Sequence, residues 1–365
     1  MTSKKVKTIC FFNSNKAWGG GEKWHFSTAL ELKKRGFNTF LVTNKTSALA
    51  EKCAAAGLPF FPEQVSNLSF LNPLKVYKLA SFFKEQQTDV VVLNLSSDVK
   101  LAGIAARLAG VQKIIYRRGM PHPIRNTWLN RLLFKDVLTH VIANSEEVSR
   151  SLQQQNEAWF PKEKIVILNN GVDLKAPLNL TDKLYQKQGN EIVIGNAGRL
   201  THQKGQVYLI EMAKALKAKN INFKLLIAGE GELKEALQQQ IKEQGLENQI
   251  QLLGHVHNMG SFFNSLDIFV FPSLFEGSAN TLIEVLHHQI PTVAFNISSN
   301  PEIIVHGQNG FLATPFDTNQ LADYVTELIQ SKTLRDKFIR NGLQVLSEKF
   351  DKDKNMDQFQ ALITS

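Results

Sequence analysis

Short, almost unbroken apolar runs alternate with segments of helical periodicity along this chain, and the series starts afresh near residue 190. A strand without polar residues at alternate positions must be covered on both faces. Parallel strands joined by crossover helices supply that cover. In the first half the expected strands are 8–13, 38–43, 58–61, 89–95, 113–116, 139–143 and 165–168, with helices near 22–35, 46–56, 73–86, 99–109 and 146–155. Gly36 and Gly57 stand just past two of these helices, where a left-handed residue closes the last turn. Segment 173–190 is largely polar, contains Pro177 and Gly189, and breaks the rhythm. Strands at 191–196, 223–228, 250–253, 268–271 and 292–295 follow, with helices at 205–219, 232–244 and between 319 and 349. The expected organisation is α/β, with two Rossmann-like doubly wound domains at 1–174 and 191–349 joined by a linker at 175–190. The tail 350–365 is expected to pack back onto the first domain. Such sheets bind ligands beyond the carboxyl ends of their strands, which places the expected site in the cleft between the domains.

Several function classes are disfavoured at once. The only cysteines, Cys10 and Cys53, lie inside apolar or helical patterns, so neither a disulfide framework nor a zinc cluster is readable, and a reducing cytoplasm fits. The first apolar run is too short for the core of a signal peptide, and no run approaches the ~18 apolar residues of a membrane span. The formal charge is +9, and residues 99–135 hold eight Lys or Arg and no Asp or Glu. Such a bias attracts phosphates, and an anionic membrane surface at the cytoplasmic face suits it. A solvated basic face explains the same run. Nucleic acid ranks behind both, because Tyr116, Trp128 and Phe134 are too sparse for a stacking platform.

The residues that carry chemistry sit at strand ends. Glu276 and Glu284 follow the apolar run 268–271 and bracket the start of a helical pattern. With Glu276 in the loop and Glu284 on the second turn, they can flank a ligand whose phosphate meets the helix N-terminus. Thr281 and Glu284 also have capping-box spacing, a purely structural reading of Glu284. Nothing about a strand-to-helix loop requires Glu276. After the strand at 191–196 come Gly198, Arg199, Lys204 and Gly205, a loop whose two cations can neutralise a diphosphate leaving group. Gly20 and Gly21 open the first helix, where backbone can approach a ligand closely. Gly229, Gly231, Gly254 and His255 are further strand-end positions able to make backbone contacts, or ordinary turns. Asp351 and Asp353 match a short metal-binding acidic pattern but lie in a charged tail. No metal is expected.

Taken in order, these motifs resemble those of the family 4 retaining glycosyltransferases of the GT-B fold. The likeness is strongest over 195–314, in the Gly198, Arg199, Lys204, Gly205 loop, the Glu276…Glu284 pair and Asn309-Gly-Phe-Leu312. It is looser at Gly20-Gly21, Ala143-Asn-Ser145 and Asn170-Gly-Val-Asp173. The resemblance implies a nucleotide-diphosphate sugar as co-substrate, no further cofactor, and a carbohydrate or lipid-linked acceptor in cell-surface polysaccharide or lipopolysaccharide synthesis. Arg199 and Lys204 would bind the donor diphosphate, helped by the amides of Asn280, Thr281 and Leu282. Glu284 would hold the ribose, and Glu276 would contact the transferred sugar. Gly20, Gly21, Gly198, Gly254, His255, Gly277, Ser278 and Ala279 would complete the donor site. Where many relatives carry a histidine, this chain has Arg117, Arg118 and, further on, His122, which are expected to meet the acceptor or a membrane. A nucleotide-sugar epimerase and a non-catalytic nucleotide-sugar-binding protein are the alternatives.

Overall fold

The structure, a computed structural model, describes residues 8–154 and 156–365. It divides into two compact units, residues 1–170 with 354–365 and residues 171–353. In the first unit seven strands form one sheet: β1 (Thr8–Asn13), β2 (Asn38–Thr43), β3 (Phe60–Pro62), β4 (Val90–Leu93), β5 (Lys113–Arg118), β6 (His140–Ala143) and β7 (Ile165–Ile167). Their order is β3-β2-β1-β4-β5-β6-β7, with each neighbouring pair parallel. The second sheet holds β8 (Ile192–Ala197), β9 (Phe223–Ala228), β10 (Ile250–Gly254), β11 (Ile268–Phe271), β12 (Thr292–Phe295) and β13 (Phe311–Ala313). Its order is β10-β9-β8-β11-β12-β13, again all parallel. In both sheets the winding reverses beside the first strand, between β1 and β4 and between β8 and β11. Loops diverge at such a point and leave a crevice at the carboxyl ends.

Burial explains why the strands read as continuous apolar runs. All four residues of β4 and of β11 are buried, with helices covering both faces. Each buried Phe or Ile contributes about 1.5–3 kcal/mol relative to exposure. The helix Lys352–Thr364 sends Met356, Phe359 and Ile363 into the first unit's core beside Ile9 and Ile115. Cys10 and Cys53 are buried and unpaired. Among the described residues no helix is long and apolar enough to cross a membrane.

Several expectations need correction. The strand expected at 89–95 ends at Leu93, which leaves Asn94 in the loop beyond it. The helix expected to begin at 99 begins at Ser96 and passes through a π turn at Val99–Gly103. The helix expected over 146–155 ends at Gln153; Gln155 lies outside the described residues. Segment 175–190 is not a free linker. It belongs to the second unit, where Leu184 N donates to Ser261 O at 2.9 Å and Tyr185 N to Ser265 Oγ at 3.0 Å. The Tyr185 hydroxyl donates to Glu191 at 2.8 Å.

Candidate active site

In the second unit two loops leave the adjacent strands β8 and β11 and are stitched together. Gln203 O accepts from Leu274 N at 2.8 Å, and Gln203 Nε2 donates to Phe275 O at 2.5 Å. The contact depends on Gly205, which has φ 67°; a Cβ there would stand 2.2 Å from Pro272 O. No L side chain fits that space, and few adopt that φ. The stitch brings Lys204 Nζ to 2.5 Å from Glu276 Oε1, with the two side chains 17% and 10% exposed. Ser273 Oγ donates to the same carboxylate oxygen at 2.6 Å. Ser298 fixes the backbone of Glu276, accepting from its N–H at 3.1 Å and donating to its carbonyl at 2.7 Å. A carboxylate held at side chain and main chain together has little freedom left.

The helix Asn280–His287 starts four residues beyond Glu276, with Ala279 as N-cap and no side-chain cap bond. The capping box at Thr281 and Glu284 is therefore not formed, because the helix has already begun at Asn280. Glu284 lies on its second turn, half-buried. The first-turn amides carry the positive end of the helix dipole; no side chain caps them, and Asn280 N donates to Ser278 O and Leu282 N to Ala279 O, each at 2.8 Å. Gly277, Ser278 and Ala279 span the gap between Glu276 and this helix. Arg199 is exposed, and among the described residues its guanidinium makes no hydrogen bond or ion pair. Gly198 N donates to Ala228 O at 3.0 Å, and Gly229 N to Gly254 O at 2.8 Å, which ties three strand ends together. His255 is exposed, its ring 4.6 Å from that of His257.

The first unit gathers a different set at its own switch point. Gly20 and Gly21 begin the helix Gly20–Lys34, and a Cβ on Gly21 would meet Asn94 Oδ1 at 2.7 Å. Beneath them Glu22 is buried, its Oε1 accepting from Asn13 Nδ2 at 3.2 Å, Asn15 Nδ2 at 3.0 Å and Asn94 Nδ2 at 3.0 Å. Arg117 was expected at an acceptor or membrane surface, but it is only 3% exposed. It donates to Asn170 Oδ1 at 2.8 Å and lies 4.6 Å from the centre of a Trp24 ring. Burial pulls its pKa down to about 10, against the pull of Glu22, so it stays charged at neutral pH. The neighbouring His25 is fully buried, neither ring nitrogen has a partner among the described residues, and burial and then the Arg117 charge push its pKa well below the usual histidine value. Asp98 is buried too, raised to about 7 by burial although Ser14 and the Leu95 N–H donate to it. Arg118 is half-buried, and His122 is exposed and offers Arg118 its carbonyl at 2.8 Å.

The structure thus brings Lys204, Glu276 and the start of the 280–287 helix together, and leaves Arg199 on the same loop as Lys204. Ser273, Ser298, Glu22 and Asn94 escaped the sequence reading. Glu22 and Asn94 were accessible in principle, because each follows a strand that a doubly wound order places at the switch. Ser298 carried no signal: its φ of 55° is rare for a serine and belongs to a loop 22 residues beyond its partner. Asp353, in the charged tail, pairs with Lys175 at 2.5 Å while both side chains stay exposed to solvent.

Comparison with known proteins agrees with this arrangement. The profile of Glycosyltransferase Family 4 matches residues 18–176, and that of Glycosyl transferases group 1 matches residues 181–345. An uncharacterized glycosyltransferase of Methanocaldococcus jannaschii is 31% identical over 258 residues, which are 61% of this chain and 63% of that protein. This chain thus spans just under two thirds of that relative. The UDP-Gal:α-D-GlcNAc-diphosphoundecaprenol α-1,3-galactosyltransferase of Escherichia coli is 25% identical over 355 residues, covering 89% of this chain and 90% of its own. The crystal structure of Anabaena HepE in complex with UDP and glucose superposes with a TM-score of 0.78 at 21% identity, over 98% of this chain and 99% of that one. Two parallel sheets of the same order, the paired loops around Lys204 and Glu276, and two consecutive profile matches lead to one conclusion: the chain belongs to the family 4 glycosyltransferases of the GT-B fold.

Proposed function

We propose that this glycosyltransferase moves a sugar from a nucleotide-diphosphate donor to a saccharide acceptor carried on a lipid, in cell-surface polysaccharide or lipopolysaccharide synthesis at the cytoplasmic face of the membrane. The observation that carries the reading is the Lys204–Glu276 pair, 2.5 Å apart and set just ahead of a helix that no side chain caps. In this reading the diphosphate lies against the amides of Asn280, Thr281 and Leu282, and Arg199 swings onto it from its exposed position. Lys204 stabilises the charge that grows on the leaving phosphate, and Glu276 contacts the departing sugar. Glu284 holds the ribose. Gly20 and Gly21 give the first unit a backbone surface for phosphate and sugar.

Transfer proceeds with retention of the anomeric configuration. The acceptor hydroxyl attacks from the face the diphosphate leaves, the sugar–phosphate C–O bond breaks, and the released phosphate oxygen takes the hydroxyl proton. No strong base is needed on the protein, so positioning and charge stabilisation supply the rate. Arg199 and Lys204 do the electrostatic work that a divalent metal does elsewhere, and turnover is metal-independent. The lipid-linked acceptor is supported by the E. coli relative, whose name specifies a diphosphoundecaprenol-linked sugar and which matches along nearly the whole chain. A UDP donor is consistent with the UDP-bound HepE structure of the same fold.

The test is nucleotide release from a panel of nucleotide sugars, with and without polyprenyl-diphosphate saccharides, in chelator. Acceptor-dependent release, with a product whose anomeric coupling matches the donor's, is the expected result. Release that needs added metal, or an inverted product, overturns the corresponding part of the reading. Interconversion of two nucleotide sugars without transfer would make the protein an epimerase.

A further inference from the structure

A cavity with a basic lining lies in the first unit, where the chain leaves the carboxyl ends of β4 and β5. It measures about 270 Å³, and its polar lining includes Lys100, Tyr116, Arg118, Arg125 and Asn130. None of the described residues that line it is acidic. Arg118 is already aimed: its two terminal nitrogens donate at 2.8 Å to the Tyr116 hydroxyl and to His122 O. Its Nε is buried and has no partner among the described residues. Lys100, Arg118 and Arg125 lack a counter-charge in this cavity, a lining that suits a phosphate.

What borders the cavity narrows the ligand. Lys100 Nζ stands 5.9 Å from the Phe70 ring, which joins the cavity to the turn Ser69–Leu71 and the helix Pro73–Glu85. That stretch exposes Leu71, Leu74 and Tyr77, and three residues past Arg125 stands Trp128, also exposed; Leu74, Tyr77 and Trp128 each exceed 70%. Cations in a cavity whose flanking elements carry exposed apolar side chains fit a molecule that is anionic at one end and hydrocarbon beyond it.

Resting on the lipid-linked reading above, we propose that this cavity holds the diphosphate joining the acceptor saccharide to its lipid. Arg118, Arg125 and Lys100 are its cations, and the rim of Leu71, Leu74, Tyr77 and Trp128 meets the prenyl chain. The site is then a specificity determinant: it selects acceptors by their diphosphate, whatever sugar they carry. An anionic headgroup could use the same cations, but it would not need a cavity with a guanidinium held in place by Tyr116 and His122.

Binding of geranyl diphosphate tests this directly, with geraniol as control, by calorimetry in a Lys204→Ala background that weakens the donor site. Expected is measurable affinity for geranyl diphosphate alone, weakened roughly tenfold or more by Lys100→Ala with Arg125→Ala, both on the accessible side of the cavity. Arg118→Lys, which keeps the charge but not the fork, should weaken it as well. Absence of binding, or binding untouched by these changes, overturns the proposal. So does phosphatidylglycerol-vesicle binding that falls in the double variant while geranyl diphosphate binding persists, since the cations would then serve the headgroups. The reading it rests on is checked separately by turnover: failure to glycosylate any polyprenyl-diphosphate saccharide would remove the acceptor reading while the binding result stood.

Discussion

Replacing Lys204 by Met separates holding Glu276 in place from stabilising a leaving group. The Lys204 and Glu276 side chains keep only 17% and 10% of their exposure, and the carboxylate's other side-chain donor is the Ser273 hydroxyl at 2.6 Å. Removing one member of a buried ion pair costs about 3–5 kcal/mol. The residual exposure and the Ser273 bond argue for the lower end, near 3 kcal/mol. In a unit of this size that corresponds to a fall in melting temperature of roughly 6–12 °C. Changing Glu276 to Gln in the same chain removes the stranded charge and should return most of that loss. Turnover should behave differently. Loss of a cation stabilising charge in the transition state lowers kcat by about 10²–10³, and the double variant should not regain it. The assay is nucleotide release under saturating donor, read beside thermal unfolding of the same preparations. Recovery of turnover together with stability in the double variant would show that Lys204 acts only by neutralising Glu276. Turnover within about threefold of wild type in Lys204→Met would reject its catalytic assignment outright.

Three further outcomes follow from buried or strained positions. Gly205→Ala imposes a left-handed conformation costing about 1–2 kcal/mol and a Cβ 2.2 Å from Pro272 O; the second unit should lose more stability than that, with turnover falling as the Lys204 loop shifts, and an unchanged denaturation midpoint would contradict it. His25 is held neutral, its folded pKa below its unfolded one, so the first unit should lose stability as pH falls through the unfolded value of about 6.5. His25→Phe, keeping the ring against Phe11, should remove that acid sensitivity in denaturant titrations at pH 5 and 7.5. Asp98 has the opposite sign: its pKa is raised by burial to about 7, so the unfolded chain releases its proton first and stability should decline as pH rises from about 4 to 7. Asp98→Asn should flatten that decline, and an identical slope in the variant would show that Asp98 is ionised in the folded protein.

Much of the fold was legible because parallel strands leave a one-dimensional trace. The runs at 90–93 and 268–271 are apolar at every position, and that is possible only for strands covered on both faces. The order of the strands leaves no such trace. Glu22 meets Asn94, 72 residues away, because β1 and β4 are neighbours, and Lys204 meets Glu276 because β8 and β11 are. Composition misled where tertiary contacts overrode it. The polar stretch 175–190 read as a linker, yet its backbone finds partners at Ser261 and Ser265. Arg117 was expected at an acceptor or a membrane surface, but it is the penultimate residue of an interior strand, where Trp24 and Asn170 receive it.

The two switch points differ in a way that assigns them different work. Each unit buries a glutamate where its winding reverses, Glu22 in the first, with Asp98 buried nearby, and Glu276 in the second. Glu22 accepts from three asparagine amides, neutral donors that satisfy it without competing for any ligand. Such a group clamps the chain beyond β1 to the loop beyond β4 and is poorly placed to exchange partners. Glu276 instead shares its charge with a lysine whose ammonium has three donors, only one of which the carboxylate occupies. An arriving phosphate can therefore take the remaining donors without stranding Glu276. The same bond that holds the glutamate rigid also positions the cation. By that argument the second unit's reversal is the one built to exchange partners with a phosphate, and the first unit's reversal is the stiffer of the two.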